Sequence, residues 1–268
     1  MSNNQQLDKL TTTITTSSKY KHVSPDLVRA LGVVELAKRP SLKTAVKATK
    51  NKLHQIGGAY LDGSPNYDKG LALLAANAAD PEALRATCCE IMRWHVSTQE
   101  RLPILDYFYT TTLADLPPIK SIVDLACGLN PLAWLWMPFD SHTTYQAYDI
   151  YADGMAFVDA FMGIVGINGR AAVRDILHNP PTEPVDLAFI LKTLPCLEQI
   201  DKQAGMHLLD AIQARYLLIS YPAASLSGRH KGMVATYDAH FQKLAAGRNW
   251  RVQRHLFPTE LAFLVTTP

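Results

Sequence analysis

The chain has 268 residues, of which 48% are hydrophobic and 19% charged, a composition that argues against wholesale disorder. No apolar run approaches the roughly 18–20 residues that span a bilayer, and the first ten residues lack the apolar core of a signal peptide. Four cysteines without a CxxC spacing predict a cytoplasmic protein with reduced thiols and no metal site.

The formal net charge of +2 is unevenly distributed along the chain. Residues 1–60 contain ten Lys or Arg and only three acids, so the remainder of the chain carries the acidic excess. Such a basic segment is compatible with a polyanionic partner such as nucleic acid, and equally with a solvated helical surface. The charge alone does not decide between the two.

Residues 1–115 are predicted to be mostly helical. Ser24-Pro25-Asp26 is typical of a helix start, and Gly57-Gly58 ends a lysine-rich amphipathic stretch. Further helices are predicted over 67–79 and 81–108. The pattern changes at Leu116-Pro117-Pro118, which predicts two domains, a basic helical one over 1–115 and a second one over 116–268.

Short apolar runs alternate with helical segments beyond that boundary. The predicted strands are 121–126, 144–149, 171–174, 185–191, 216–221, 251–256 and 261–266. The predicted helices between them are 131–138, 153–165, 198–214 and 233–246. This alternation predicts an α/β fold with a mostly parallel seven-stranded sheet covered on both faces, the last two strands forming a hairpin.

The turn after the first predicted strand is the sharpest local feature of the sequence. Small residues at Ala126 and Gly128 would let a ligand approach the backbone at the carboxyl end of the strand. Asp149 and Asp175 end the next two strands, where carboxylates suit ribose hydroxyls and an adenine amino group. A single acid at such a position is often only a helix cap, but the succession predicts a nucleoside site.

Several segments together resemble a known family. They are Lys52–Tyr60, His95–Arg101, Asp124–Pro131 (DLACGLNP), Leu191–Glu198, Ser220–Pro222, Ser225–Met233 (SLSGRHKGM) and Thr259–Leu261. In this order they resemble the aminoglycoside-resistance 16S rRNA (guanine-N7)-methyltransferases, which are class I Rossmann-like enzymes that use S-adenosylmethionine. The resemblance implies an N-terminal region that binds the small ribosomal subunit and a C-terminal S-adenosylmethionine-binding domain to which the last N-terminal helix contributes.

The same resemblance implies a set of cofactor-binding residues, with Arg101 as the partner of the cofactor's carboxylate and Asp149 as the ribose ligand. The set is Tyr60, His95, Val96, Ser97, Arg101, Ala126, Gly128, Asp149, Asp175, Ile176, Leu191 and Gln199. The sequence departs from the family pattern at Gln99, where a lysine is expected, and at Pro258, where a glycine is expected.

We expect catalysis by positioning alone, because N7 of guanine carries a free lone pair and the methyl of a sulfonium is already electrophilic. The predicted RNA contacts are Lys38, Arg39, Lys43, Lys47, Lys50, Arg229, Lys231 and Met233. Three alternatives stay open: a small-molecule methyltransferase, an RNA-binding module with a vestigial nucleotide fold, and a cytosine-modifying enzyme with Cys196 as nucleophile. The expected state is a monomer.

Overall fold

The computed structural model describes residues 2–58, 60, 65–223 and 232–268. Its seven strands are β1 (Ser121–Leu125), β2 (Thr144–Asp149), β3 (Gly169–Val173), β4 (Val185–Leu191), β5 (Ala214–Pro222), β6 (Arg251–Leu256) and β7 (Glu260–Thr266). They form one sheet in the order β3-β2-β1-β4-β5-β7-β6. The first five strands pair in parallel, and β7 is antiparallel to both β5 and β6. The predicted α/β fold with its terminal hairpin is confirmed.

The described residues also contain eleven α-helices. They are α1 (Asn3–Thr15), α2 (Pro25–Lys38), α3 (Leu42–Leu53), α4 (Tyr67–Asn77), α5 (Pro81–Met92), α6 (Val96–Arg101), α7 (Leu105–Thr112), α8 (Ala152–Val165), α9 (Leu194–Leu197), α10 (Ala204–Ala211) and α11 (Met233–Ala245). No helix in this part of the chain is long and apolar enough to cross a membrane.

The predicted helix over 81–108 is in fact three helices. The first break precedes α6, where the Thr98 hydroxyl donates to the carbonyl oxygens of Met92 at 2.6 Å and His95 at 2.9 Å. The second break lies at Pro103, in a short 3-10 turn, because proline has no N–H to continue the helix. The first break places His95 at the start of α6 rather than in the middle of a long helix.

Two other predicted helices also differ from the structure. The segment predicted as a helix over 131–138 is a 3-10 helix over Asn130–Trp136. The segment predicted over 198–214 contains only α10, preceded by a turn, and its last residue already belongs to β5. β1 ends one residue earlier than predicted because Ala126 has a φ of +52°, which no strand residue adopts.

The main hydrophobic core crosses the predicted boundary at residue 116. Buried side chains of α4 to α7, among them Leu74, Ile91 and Phe108, belong to the same cluster as Phe157 of α8 and Phe189 of β4. Helices α4, α5 and α7 therefore share one hydrophobic core with the sheet, and the predicted boundary does not separate two hydrophobic cores.

The first three helices and the π-helical turn His54–Gly58 have a core of their own, and we call residues 3–58 the N-terminal helical unit. Its buried core residues are Leu10, Ile14, Tyr20, Val23, Leu27, Val28, Leu31, Ala45 and Leu53. Ser24 starts α2, because its hydroxyl accepts from the Leu27 N–H at 3.4 Å and Pro25 follows it. The remainder of the chain contains the sheet, and we call it the sheet domain. Its residues Ile150, Tyr151 and Ile200 pack against this core.

Candidate functional site

The turn after β1 approaches the start of α6 closely. Ala126 and Gly128 both have a φ of +52°, a conformation that bends the chain sharply away from the strand. A Cβ atom at Gly128 would lie 2.9 Å from two ring atoms of His95, so only glycine fits beneath this ring. Both small residues therefore shape the turn, and the His95 ring lies against Gly128.

Asp149, at the end of β2, connects this turn to the neighbouring strand. Its carboxylate accepts from the Gly128 N–H at 2.9 Å and from the Ile150 N–H at 2.6 Å. Burial raises the pKa of Asp149, although these backbone donors act in the opposite direction. The carboxylate thus holds the turn in place and also faces the cavity described below.

Asp175 lies beyond the end of β3 and closes a local turn. Its carboxylate accepts from the Leu177 N–H at 3.0 Å and from Nδ1 of His178 at 2.6 Å. The hydrogen bond with Asp175 raises the pKa of His178. Asp175 therefore forms the turn contacts of a capping residue, but it also lines the cavity together with Ile176.

One side of the site is formed by His95 and Ser97, at the start of α6, and by Tyr60, whose ring is stacked on the His95 ring. The Ser97 hydroxyl and Nδ1 of His95 share a hydrogen bond of 2.9 Å, and the Tyr60 ring is parallel to the imidazole at a centroid distance of 6.2 Å. Burial, followed by the charges of Lys192 and Arg101, lowers the pKa of His95 to about 4. The imidazole is consequently neutral at physiological pH.

These groups line a cavity at the carboxyl ends of the parallel strands. Nine of the twelve predicted cofactor residues line it: Tyr60, His95, Ser97, Ala126, Gly128, Asp149, Asp175, Ile176 and Leu191. The donor and acceptor set suits a nucleoside with a polar extension, because it combines two carboxylates with the polar groups of His95, Ser97 and Tyr60.

Arg101 is not among the residues that line the cavity, and its predicted contact with the cofactor's carboxylate stays a prediction. The guanidinium is 1% exposed and donates from Nε to Glu260 Oε2 at 3.0 Å and from Nη2 to Glu260 Oε1 at 2.7 Å. Its Nη1 donates to Oδ1 of Asn130 at 2.7 Å. Through its hydrogen bond with Asn130, Arg101 stabilises the end of the turn after β1, which we call the glycine turn. Its charge is paired with that of Glu260.

Two further predicted cofactor residues also lie outside the cavity lining. The Val96 N–H donates to the Tyr60 carbonyl oxygen at 2.9 Å, so Val96 positions Tyr60 through the backbone. Gln199 is exposed, and its carbonyl oxygen accepts from Nζ of Lys52 at 2.7 Å. Gln199 therefore belongs to the contact between the N-terminal helical unit and the sheet domain.

The family profile described as "Ribosomal RNA methyltransferase (FmrO)" matches residues 16–264. The chain belongs to this family. It is 40% identical over 97% of its length to the 16S rRNA (guanine(1405)-N(7))-methyltransferase of Micromonospora echinospora, of which the match covers 96%. It is 33% identical over 95% of its length to the enzyme of the same name from Serratia marcescens, again with 96% of that enzyme covered.

Solved structures show the same relationship. The crystal structure of the 16S rRNA methyltransferase RmtF in complex with S-adenosyl-L-homocysteine superposes with a TM-score of 0.86, at 28% identity and full coverage of both chains. The 16S rRNA methylase RmtB superposes with a TM-score of 0.80, at 27% identity and 98% coverage of each chain. The resemblance drawn from the sequence motifs is thereby confirmed.

The surface lysines of this family member lie where an RNA could reach them. Lys43, Lys47 and Lys50 follow one another on α3 at helical spacing, and Lys38 and Arg39 end α2. All except the partly buried Lys50 are exposed, and Arg39 forms an ion pair with Glu35 at 3.0 Å. Met233 is the partly buried first residue of α11. Arg229 and Lys231 lie outside the described residues.

The structure argues against Cys196 as the nucleophile of this methyltransferase. Burial raises the pKa of the Cys196 thiol, so the reactive thiolate is disfavoured. The nearest polar group is the Tyr60 hydroxyl at 3.1 Å from Sγ, a phenol whose own pKa is raised by burial. The hydrogen bond with Tyr60 acts to lower the pKa of Cys196, but burial outweighs it.

Several cavity residues were not predicted from the sequence. Ile150, Tyr151 and Lys192 directly follow β2 and β4, so their position at the carboxyl ends of strands could have indicated them. Leu27, Ile56 and Gly57 come from the N-terminal helical unit. Leu27 carries no local signal, because a buried apolar residue on a helix is ordinarily a core residue, whereas Ile56 and Gly57 lie in the segment Lys52–Tyr60 that resembles the family.

Proposed function

We propose that this protein transfers a methyl group from S-adenosylmethionine to N7 of guanine 1405 in 16S rRNA of the small ribosomal subunit, and so confers aminoglycoside resistance. The observation that carries the proposal is the near-complete coverage, at 33–40% identity, of relatives named for this one reaction. The reaction would take place in the cytoplasm, where assembled subunits are found, with the enzyme as a monomer.

The cavity fits S-adenosylmethionine by its chemistry. Asp149 would accept hydrogen bonds from the ribose hydroxyls, and Asp175 one from the adenine amino group, with Ile176 and Leu191 against the ring. Ala126 and Gly128 leave the backbone open to the remainder of the molecule. When bound, the cofactor supplies an electrophilic methyl group next to a positively charged sulfur.

The residues around the cavity can position the target without acid–base chemistry. Guanine N7 carries an unprotonated lone pair, so the protein has only to hold the base in line with the methyl. The neutral imidazole of His95 and the protonated hydroxyl of Tyr60 add no charge to the cavity lining. We expect the base to leave its stack to reach the cavity, as targets of base-modifying enzymes do.

The predicted RNA contacts complete the proposal. Lysines of α2 and α3 would bind phosphates of the subunit, recognising its shape rather than its sequence. Arg229 and Lys231 would contact phosphates near the target, and Met233, at the start of α11, would pack against the guanine. Two separate surfaces of the chain would then meet one RNA.

The decisive experiment supplies intact, unmethylated small subunits and S-adenosylmethionine with a labelled methyl group. We expect one label per subunit, located by strand scission at guanine 1405. Asp149→Asn should bind S-adenosylhomocysteine at least about tenfold more weakly, since a charged acceptor is lost. Asp210→Asn, the same change at an exposed residue of α10 that does not line the cavity, should bind it normally.

The alternatives predict other outcomes of the same experiment. A small-molecule methyltransferase would leave the subunit unlabelled. An RNA-binding module would show no calorimetric binding of S-adenosylhomocysteine at all. Label on an adenine or a cytosine would contradict the proposed target while leaving the cofactor assignment intact.

A further inference from the structure

The N-terminal helical unit contributes directly to the wall of the cofactor cavity. Leu27 of α2, and Ile56 and Gly57 of the π-helical turn, line the cavity together with Asp149, Ile150 and Tyr151. The unit that carries the basic surface is therefore also part of the enclosure of the small-molecule site.

A backbone clamp connects the unit to the segment that follows Asp149. The Ser24 N–H donates to the Ile150 carbonyl oxygen at 2.8 Å, and the Ala152 N–H donates to the His22 carbonyl oxygen at 2.7 Å. Val23 and Tyr151 lie between these bonds as an antiparallel bridge. Because Leu27 lies one helical turn beyond Ser24, the clamp holds Leu27 beside the residues next to Asp149.

A second contact fixes the other end of the unit. A Cβ atom at Gly57 would lie 2.8 Å from the Tyr151 ring, so the π-helical turn packs against Tyr151 at backbone distance. Nζ of Lys52 donates to the Gln199 carbonyl oxygen at 2.7 Å, and Ile200, which lines the cavity, packs against the core of the unit. The unit thus contacts two cavity walls, one after β2 and one after α9.

We propose that Leu27 and Ile56 contact the nucleoside part of the cofactor, so that the N-terminal helical unit completes the cofactor site in addition to binding RNA. The assignment rests on the proposed function for the identity of the cofactor. Ile56 and Ile150 pack against the core that contains Leu27, and Asp149, the expected ribose ligand, directly precedes Ile150. Cofactor affinity then depends on the position of the N-terminal helical unit relative to the sheet domain.

Linkage gives this arrangement a consequence for the reaction. If subunit binding changes the seating of the unit, it must also change cofactor affinity, and the cofactor must change subunit affinity by the same factor. The N-terminal helical unit would then couple binding of the small subunit to binding of the cofactor.

Calorimetric titration of the full-length protein with S-adenosylhomocysteine tests the assignment. Leu27→Ala should weaken binding by about tenfold, because apolar contacts with the ligand are lost. Leu31→Ala is the matched control: Leu31 lies one turn further along α2 and is equally buried, but does not line the cavity. Its affinity should stay within about twofold of the unaltered protein. Equal affinities of the two variants would overturn the proposal.

A second measurement needs no substitution and applies even if Leu27→Ala does not fold. Hydrogen exchange is followed in the unaltered protein with and without S-adenosylhomocysteine. The amides of Ser24 and Ala152, which form the clamp, should exchange more slowly when the ligand is bound. Protection confined to the amides of Gly128 and Ile150 would overturn the proposal.

Different results would contradict the cofactor contact of Leu27 and the proposed methyltransferase activity. Normal ligand binding and methylation of guanine 1405, with unchanged affinity in Leu27→Ala and no added protection at Ser24, would refute only the inference. No binding of S-adenosylhomocysteine by the unaltered protein would refute the proposed function and the inference with it.

Discussion

Arg101 and Glu260 form a fully buried, bidentate ion pair that joins α6 to the first residue of β7. Ser220 donates its hydroxyl to the same carboxylate at 2.5 Å, and Nζ of Lys192 lies 3.4 Å from it. Through Arg101 and Asn130 the pair also reaches Asp124 of β1, which accepts from Nδ2 of Asn130 at 2.8 Å. One buried polar network therefore lies beneath the glycine turn.

Glu260→Gln should destabilise the protein by about 3–5 kcal/mol, because it leaves a buried guanidinium without its charge partner. Burial acts to raise the pKa of Glu260, but the charges of Arg101 and Lys192 hold it below its usual value. The stabilisation is then present above the unfolded pKa and lost as the pH falls through the folded one. Urea unfolding at pH 7 and at acid pH measures both effects.

The control for this prediction is an ion pair of similar geometry on the surface. Arg254 donates to both oxygens of Asp238 at 2.8 and 2.7 Å, and both side chains are partly exposed. Asp238→Asn should cost less than about 1 kcal/mol. A similar cost for the two substitutions would show that burial does not set the strength of the Arg101 pair.

The Arg101 pair illustrates what a single sequence can and cannot predict. The strands and the residues at their carboxyl ends can be predicted from the sequence, because apolar runs and the acids that follow them are local features. Asp149 and Gly128 were found in this way. The partner of Arg101 is 159 residues away and becomes a neighbour only once β7 pairs with β5. The contribution of Leu27 to the cavity depends on domain packing in the same way.

Gly128→Ala should abolish detectable cofactor binding, because the new Cβ would displace the His95 ring from the turn. The positive φ adds a backbone cost of about 1–2 kcal/mol to the free energy of folding. Calorimetry with S-adenosylhomocysteine and urea unfolding separate the two effects.

Gly166→Ala provides the matched control. Gly166 also has a positive φ, +72° after α8, but a Cβ there meets nothing within 4 Å. We expect a similar loss of stability and unchanged affinity. Weakened binding in Gly166→Ala would mean that lost stability, and not the contact with His95, explains the effect at Gly128.

The pair of His178 and Asp175 should make stability slightly pH-dependent. The hydrogen bond with Asp175 raises the pKa of His178, so the stabilisation is complete below the unfolded pKa of about 6.5 and is lost as the pH rises through the folded value. Because His178 is 44% exposed, His178→Asn should cost below about 1 kcal/mol at pH 6 and less at pH 9. Urea unfolding at both pH values measures the difference.

His207→Asn, at an exposed histidine on α10, controls for general effects of losing an imidazole. Its cost should be the same at pH 6 and pH 9. If His178→Asn also showed no dependence on pH, the contact with Asp175 would not be formed in solution.

Lys43 and Lys47 lie one turn apart on α3, both exposed, and so present their charges to the same surface. If they contact phosphates of the small subunit, replacing either with Ala should weaken binding and reduce the slope of log K against log salt concentration by about one. Replacing both should reduce it by about two. The measurement is the equilibrium affinity for purified subunits at a series of salt concentrations.

Lys69→Ala removes the same charge from an exposed position on α4, outside the N-terminal helical unit. The net charge of the protein falls equally in this variant, so any effect of overall charge appears in it as well. We expect its salt slope to match that of the unaltered protein. An unchanged slope in Lys43→Ala and Lys47→Ala would instead identify the lysines of α3 as a solvated face, because counterion release requires contact with the phosphates.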